Sequence, residues 1–542
     1  MFSSRCFLFP RLLAPLSLTI GFILLAAPGY ADYYRRQPAL DVIHYEIAID
    51  LADENDAISA TTRVHVRMRQ DGITGMWLDL EAMKVNSLKV GDADRSFTQH
   101  DGRISFELDR RYLREETAVI EIKYHGRPGS AGLLIGKNRH GRRVYFAENW
   151  PDKARFWFPS IDHPSDKATV DFSVTAPEKY DVVANGRLVE TRLLGASRKL
   201  TRWSESVPIP TYCMVIGVAE FSVTHAGNGS TIPLMVYAYP QDAAAASRMF
   251  AQSNSILRFF TDRIGPFPYE KLAQVEATTR IGGMENASAI FYQEREFQRT
   301  EGSEKLVAHE IAHQWFGNSI TQADWDHLWL SEGFATYFAN LFQEHLQGPA
   351  SMKGTMTQAA ESIKRYHGTR PVALIDPELT EPAKKLNAFN YQKGAWILHM
   401  LRGILGDDTF FKGIRRYYNL YAERNASTED FQQAMESESG ISLTGFFRQW
   451  CYQPGWPVYE ITWRWDAGAH EVEMRFHQAQ TTGLFDMPLQ IVFGAGDRRE
   501  AHKVRISAQD QPVRLKLTGR PSSLEIDPDG WLLKSVTLEE IR

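Results

Sequence analysis

The spacing of apolar residues changes period twice along this chain, which constrains the fold more than any other feature. From residue 42 to about 239 the pattern is mostly period two: Tyr45, Ile47, Ile49 and Leu51 alternate with polar residues, as do Val64, Val66 and Met68 ahead of the Asp71-Gly72 turn. From residue 241 to about 453 apolar residues recur at threes and fours, in 306–316, 328–342 and 396–405, and Ser427-x-x-Asp430 with Gly440 brackets a further helix. Pro454-Gly455-Trp456-Pro457 then punctuates the chain, after which Val472, Met474 and Phe476 face one way and Glu473, Arg475 and His477 the other. No single sheet and no helical bundle satisfies both periods. The expected architecture is α+β and multidomain: a β domain over 32–240, a mostly helical domain over 241–454 and a small β sandwich over 455–542. With 542 residues, and about 150 per domain as a guide, the chain is long enough for all three.

The first residues stand apart. Arg5 and Arg11 precede an apolar run over 12–27 that ends at Gly29-Tyr30-Ala31, the layout of a secretory signal peptide over 1–31. The run is broken by Pro15 and short for a membrane span, so the mature chain is expected to be periplasmic or secreted with no transmembrane segment; an uncleaved signal would anchor it instead. Cys6 lies in that segment, and Cys213 and Cys451 read as two buried thiols far apart in sequence. Acids outnumber Lys and Arg, 66 to 61, so no basic footprint points to nucleic acid.

The chemistry is concentrated in the helical region. His309-Glu310-Ile311-Ala312-His313 places two imidazoles at i and i+4 on one helical face, with Glu310 beside any ion they share. Two imidazoles alone make an incomplete zinc site, because a third protein ligand is needed while one position stays open. Glu332 supplies an acid on the next periodic segment. An acid elsewhere reads as a solvated surface group, but Trp329, Leu330 and Phe334 surround this one, and a buried carboxylate needs a partner. His309, His313 and Glu332 are therefore the expected metal ligands.

Four blocks then resemble one family. Gly282-Gly283-Met284-Glu285-Asn286, His309-Glu310-x-x-His313-Gln314-Trp315-Phe316-Gly317-Asn318, Trp329-Leu330-Ser331-Glu332-Gly333-Phe334-Ala335 and Tyr391-Gln392-Lys393-Gly394 are similar, in order and spacing, to the signature of the gluzincin zinc aminopeptidases, which include alanyl aminopeptidases and leukotriene-epoxide hydrolases. Ala154-Arg155-Phe156-Trp157-Phe158-Pro159 and the junction at Gln453 extend the resemblance over almost the whole mature chain. It implies a thermolysin-like catalytic domain with one zinc ion, Glu310 as general base, and Tyr391 donating its hydroxyl to the developing oxyanion. It also implies that Glu285 binds the α-amine, with Gly282, Gly283 and Met284 lying along the substrate.

The chain departs from the family in three places. Glu148-Asn149-Trp150 stands where many members carry Gln-x-Glu, so Trp150 replaces an amine-binding acid, and Glu148 is expected to help hold the amine or bias the side-chain pocket. Ala339 stands seven residues after Glu332, where an acid often supports a zinc-binding imidazole. The sequence ends after the sandwich, without the helical superhelix that roofs the site in many members, so a more open cleft is expected, with a homo-oligomer as one way of covering it. The reading that results is an exported zinc aminopeptidase acting on peptides with a free N-terminus. Its rivals are an epoxide hydrolase with side aminopeptidase activity, an endopeptidase on the same helix, and a non-catalytic peptide-binding protein on the same fold.

Overall fold

The computed structural model describes residues 34–226, 232–299, 302–495 and 498–541. The signal-peptide reading of 1–31 lies outside the described residues, and among these no helix is long and apolar enough to cross a membrane.

The alternating first region folds as expected into β structure. Leu40–Asp50 runs inside an eight-stranded sheet, antiparallel to Ile58–Met68 and parallel to Lys167–Pro177. Tyr45, Ile47, Ile49 and Leu51 are buried in one apolar cluster with Val64, Val66 and Met68. Val42 is buried as well although it breaks their odd-numbered parity, because a register shift between Val42 and His44 turns the strand by one residue.

The last strands of this region pair with a different sheet. Ser222–His225 and Leu234–Ala238 join a five-stranded sheet with Leu272–Ala277, Ala289–Gln293 and, at its edge, Gly283–Met284. By sheet membership these two strands belong with the segments that follow residue 241 rather than with the eight-stranded sheet. Alternation marks a strand but not the sheet it joins, so the sequence could not reveal this.

Three helices of the mostly helical domain run towards the expected site: Ser303–Ala312, Trp329–Gln347 and Gly394–Leu405. The last two touch through glycines, since a Cβ built on Gly333 would lie 2.7 Å from the Gly394 Cα. Ser427 caps Thr428–Ser439 in a reciprocal capping box with Asp430, and Gly440 closes it at φ 72°, as the sequence indicates. Cys213 and Cys451 are free and buried.

The C-terminal region is the expected sandwich, a four-stranded and a three-stranded sheet, with Val472, Met474 and Phe476 inside. His399 ties it to the mostly helical domain. Its ring stacks on Trp531 at 4.6 Å, its Nε2 faces the Gly530 carbonyl at 3.2 Å, and its Nδ1 faces the Tyr337 hydroxyl at 3.3 Å. Burial lowers its pKa to about 4. The unfolded chain, with histidine near 6.5, thus binds the proton first, and the stability held by neutral His399 is complete above pH 6.5 and lost as pH falls towards 4. The expected loss between pH 7 and 4.5 is roughly 2–3 kcal/mol. Urea unfolding at both pH values measures it, and His399→Gln should flatten that part of the decline.

Candidate active site

The second sequence block creates the site's geometry. On Ser303–Ala312 and the residue after it, His309 and His313 lie one turn apart, and their Nε2 atoms are 3.1 Å from each other. Glu332, in the first turn of Trp329–Gln347, brings Oε2 to 3.3 Å from both nitrogens. Four-coordinate zinc with ligand distances of about 2.0–2.1 Å needs donor–donor edges of about 3.3–3.4 Å, so this triangle has the size of one face of such a tetrahedron. Glu332 Oε2 is buried without a hydrogen bond. His313 Nδ1 lies 3.0 Å from the Phe316 carbonyl and 3.0 Å from Ser331 Oγ, which directs Nε2 into the triangle. These residues fit a zinc ion.

Charge agrees with that fit. Glu285, Glu310 and Glu332 all lie close to His313. Burial raises the Glu310 pKa well above the usual range, with His313 opposing and Glu285 and Glu332 adding to the rise. Burial alone would lower His313, but the facing Glu332 and Glu285 carboxylates outweigh it and raise it. Glu332 is held low by the two histidines despite its burial. Such a cluster calls for a cation at its centre.

The neighbouring blocks are positioned by close contacts. Gly283–Met284 forms a short strand at the sheet edge, and a Cβ on Gly283 would meet Glu310 Oε1 at 2.3 Å, so glycine is required for the Glu310 carboxylate to sit where it does. The Glu285 carbonyl accepts hydrogen bonds from Gln314 Nε2 at 2.9 Å and Asn318 Nδ2 at 2.6 Å, which fixes the first block to the segment that follows His313. Tyr391 stands on one wide turn of π-helix, Phe389–Lys393, with its ring stacked 5.9 Å from that of His309. Burial, then the Glu332 and Glu285 carboxylates, raise its pKa well above the ordinary value, so the phenol keeps its proton and is a donor. Together these groups line a cavity of about 370 Å³.

Comparison with known sequences agrees with this geometry. Residues 42–213 match the Peptidase M1 N-terminal domain and residues 249–450 the Peptidase family M1 domain, together more than half of the chain. The chain belongs to the M1 peptidase family. It is 27% identical over 454 residues to "Aminopeptidase A" of Gloydius brevicauda (77% of this chain, 47% of that one). It is 26% identical over 476 residues to "Glutamyl aminopeptidase" of Homo sapiens (80% and 48%), and 27% identical over 438 residues to "Probable aminopeptidase 2" of Sulfurisphaera tokodaii (77% and 54%). The chain spans about half the length of these curated relatives.

Of the predicted site residues of this M1 chain, His309, Glu310, His313, Glu332, Tyr391, Gly282, Gly283, Met284 and Glu285 converge on the one cavity. Glu148 does not line it. Its Oε2 accepts from Thr279 Oγ1 at 2.8 Å and from the Arg280 backbone N–H at 2.7 Å, so the expected contact with the amine is replaced by support of the loop leading to Gly282. Trp150 forms part of the wall instead, edge-on to Trp325 at 5.6 Å, and Ala339 forms another part. Sequence reasoning assigned no role to Gln314, Asn318 or Ser331. For the first two the available signal was an amide within an otherwise apolar block; Ser331 carried none.

Proposed function

We propose that this chain is a zinc-dependent aminopeptidase that releases N-terminal residues from peptides. The supporting observation is the adjacency of Glu285 to the ligand triangle: Glu285, Glu310 and His313 present donor atoms within 4.8 Å of one another. One carboxylate can thus hold a free α-amine while the first carbonyl reaches the metal position.

Zinc, when bound, supplies Lewis acidity to a carbonyl oxygen and to water. Glu310 takes the proton of the attacking water and delivers it to the leaving amine, and its burial among acids makes it a base strong enough for the first transfer. The Tyr391 phenol donates to the oxygen on which charge develops. Glu285 accepts the substrate ammonium in a charge-assisted hydrogen bond and so selects an unblocked terminus. The edge strand Gly283–Met284 offers backbone groups to an extended peptide. The relatives named as aminopeptidases support the peptidase part of this reading; one zinc ion per chain follows from the single ligand triangle, and an exported location from the signal-like residues 1–31 of the sequence alone.

The test is a panel of aminoacyl amides on the zinc-loaded protein. Release from free-amine substrates is expected, with loss of turnover on chelation and recovery on adding zinc. Acetylating the amine should abolish cleavage. Equal cleavage of acetylated peptides would reject the exopeptidase assignment in favour of an endopeptidase.

A further inference from the structure

Among the described residues, the one cation lining the cleft has no ion-pair partner. Lys305 stands on Ser303–Ala312 one turn before His309 and on the same face. It makes no hydrogen bond or ion pair among the described residues. The other lining residues that these two helices carry away from the ligand triangle are uncharged: Leu306 on its own helix, with Thr336 and Ala339 continuing the Glu332 face one and two turns along the second helix. The cleft therefore has a charge gradient. Glu285, Glu310 and Glu332 crowd His313, and a lone cation occupies the end beyond His309.

Direction follows from that gradient. Four residues of helix, about 6 Å, separate Lys305 from His309, less than two residue lengths of extended chain and within a lysine's reach. A peptide whose amine is held at Glu285 and whose first carbonyl lies at the ligand triangle runs on towards Lys305 with its second residue. We propose that Lys305 forms a carboxylate-binding subsite on the leaving side of the scissile bond, taking either the terminal carboxylate of a dipeptide or an acidic side chain on the second residue. This inference rests on the aminopeptidase reading. A lysine ammonium is a compact charge on a flexible stem, so it can meet a carboxylate from either source.

Three substrates separate the sources: Ala-Ala with a free C-terminus, Ala-Ala-amide, and Ala-Asp-amide. In the wild type, kcat/KM for each carboxylate-bearing substrate should exceed that for Ala-Ala-amide by about fivefold, the upper end for a solvent-accessible ion pair. Lys305→Met should bring these ratios to near one. Lys305→Glu should reverse them and favour Ala-Lys-amide. Preference for the free dipeptide alone assigns the terminal carboxylate; preference for Ala-Asp-amide alone assigns the side chain. A second readout is the Kd of Ala-Ala against Ala-Ala-amide on Glu310→Gln, with and without Lys305→Met, where the same change in ratio is expected. Ratios identical in wild type and Lys305→Met overturn the proposal while leaving the aminopeptidase reading intact. An effect confined to Glu-amide against Ala-amide overturns it by placing Lys305 beside the first residue. No turnover of any substrate by the zinc-loaded wild type overturns both readings.

Discussion

Glu310→Gln is expected to lower kcat on an aminoacyl amide by about 10²–10⁴-fold while leaving one zinc ion bound per chain. Glu310 lies outside the triangle formed by His309, His313 and Glu332, so the ligand set survives the substitution. Glutamine also keeps the shape that packs against Gly283 and removes a carboxyl that burial already disfavours as an anion. What it cannot do is accept and return a proton. Steady-state kinetics with metal analysis by mass spectrometry decide the matter. A kcat within tenfold of wild type would remove Glu310 from the general-base role. Loss of the zinc would show that Glu310 belongs to the ligand set.

Parts of this site were legible in sequence because they depend on local rules. The i, i+4 spacing of His309 and His313 fixes their common face on any helix, and the apolar surroundings of Glu332 imply that an acid there needs a cation. The capping box at Ser427 and the alternation at Val472, Met474 and Phe476 are equally local. What escaped depends on contacts between distant segments. Glu148 bonds to residues 279 and 280, more than a hundred positions away, and no local pattern signals that a carboxylate will support a loop rather than line a cleft. The same holds for the glycine at position 283, which the resemblance places along the substrate but whose lack of a side chain is dictated by Glu310. Membership of Ser222–His225 and Leu234–Ala238 in the catalytic sheet is a question of pairing, which a period of two does not encode.

Lys385→Met is expected to destabilise the protein by about 3–5 kcal/mol, more than any surface change. Lys385 Nζ lies 2.6 Å from Asp326 Oδ1 with side-chain exposures of 3% and 10%, and it also donates to the Asp376 carbonyl at 3.1 Å. Methionine fills similar space but leaves Asp326 facing an apolar interior, where burial already raises its pKa and Lys385 is the main opposing influence. Replacing both partners, as Lys385→Met with Asp326→Leu, should recover most of the loss, because an apolar pair needs no compensation for desolvation. Urea unfolding of the two variants at pH 7 provides the measurement. A single variant within 1 kcal/mol of wild type, or a double variant no better than the single, would mean that the pair is not what holds these segments together. The effect should extend to the cleft, because Leu386 beside Lys385 and Trp150 against Trp325 both belong to its wall. Loosening the pair therefore frees the wall beneath the substrate, and turnover should fall at temperatures below the unfolding midpoint.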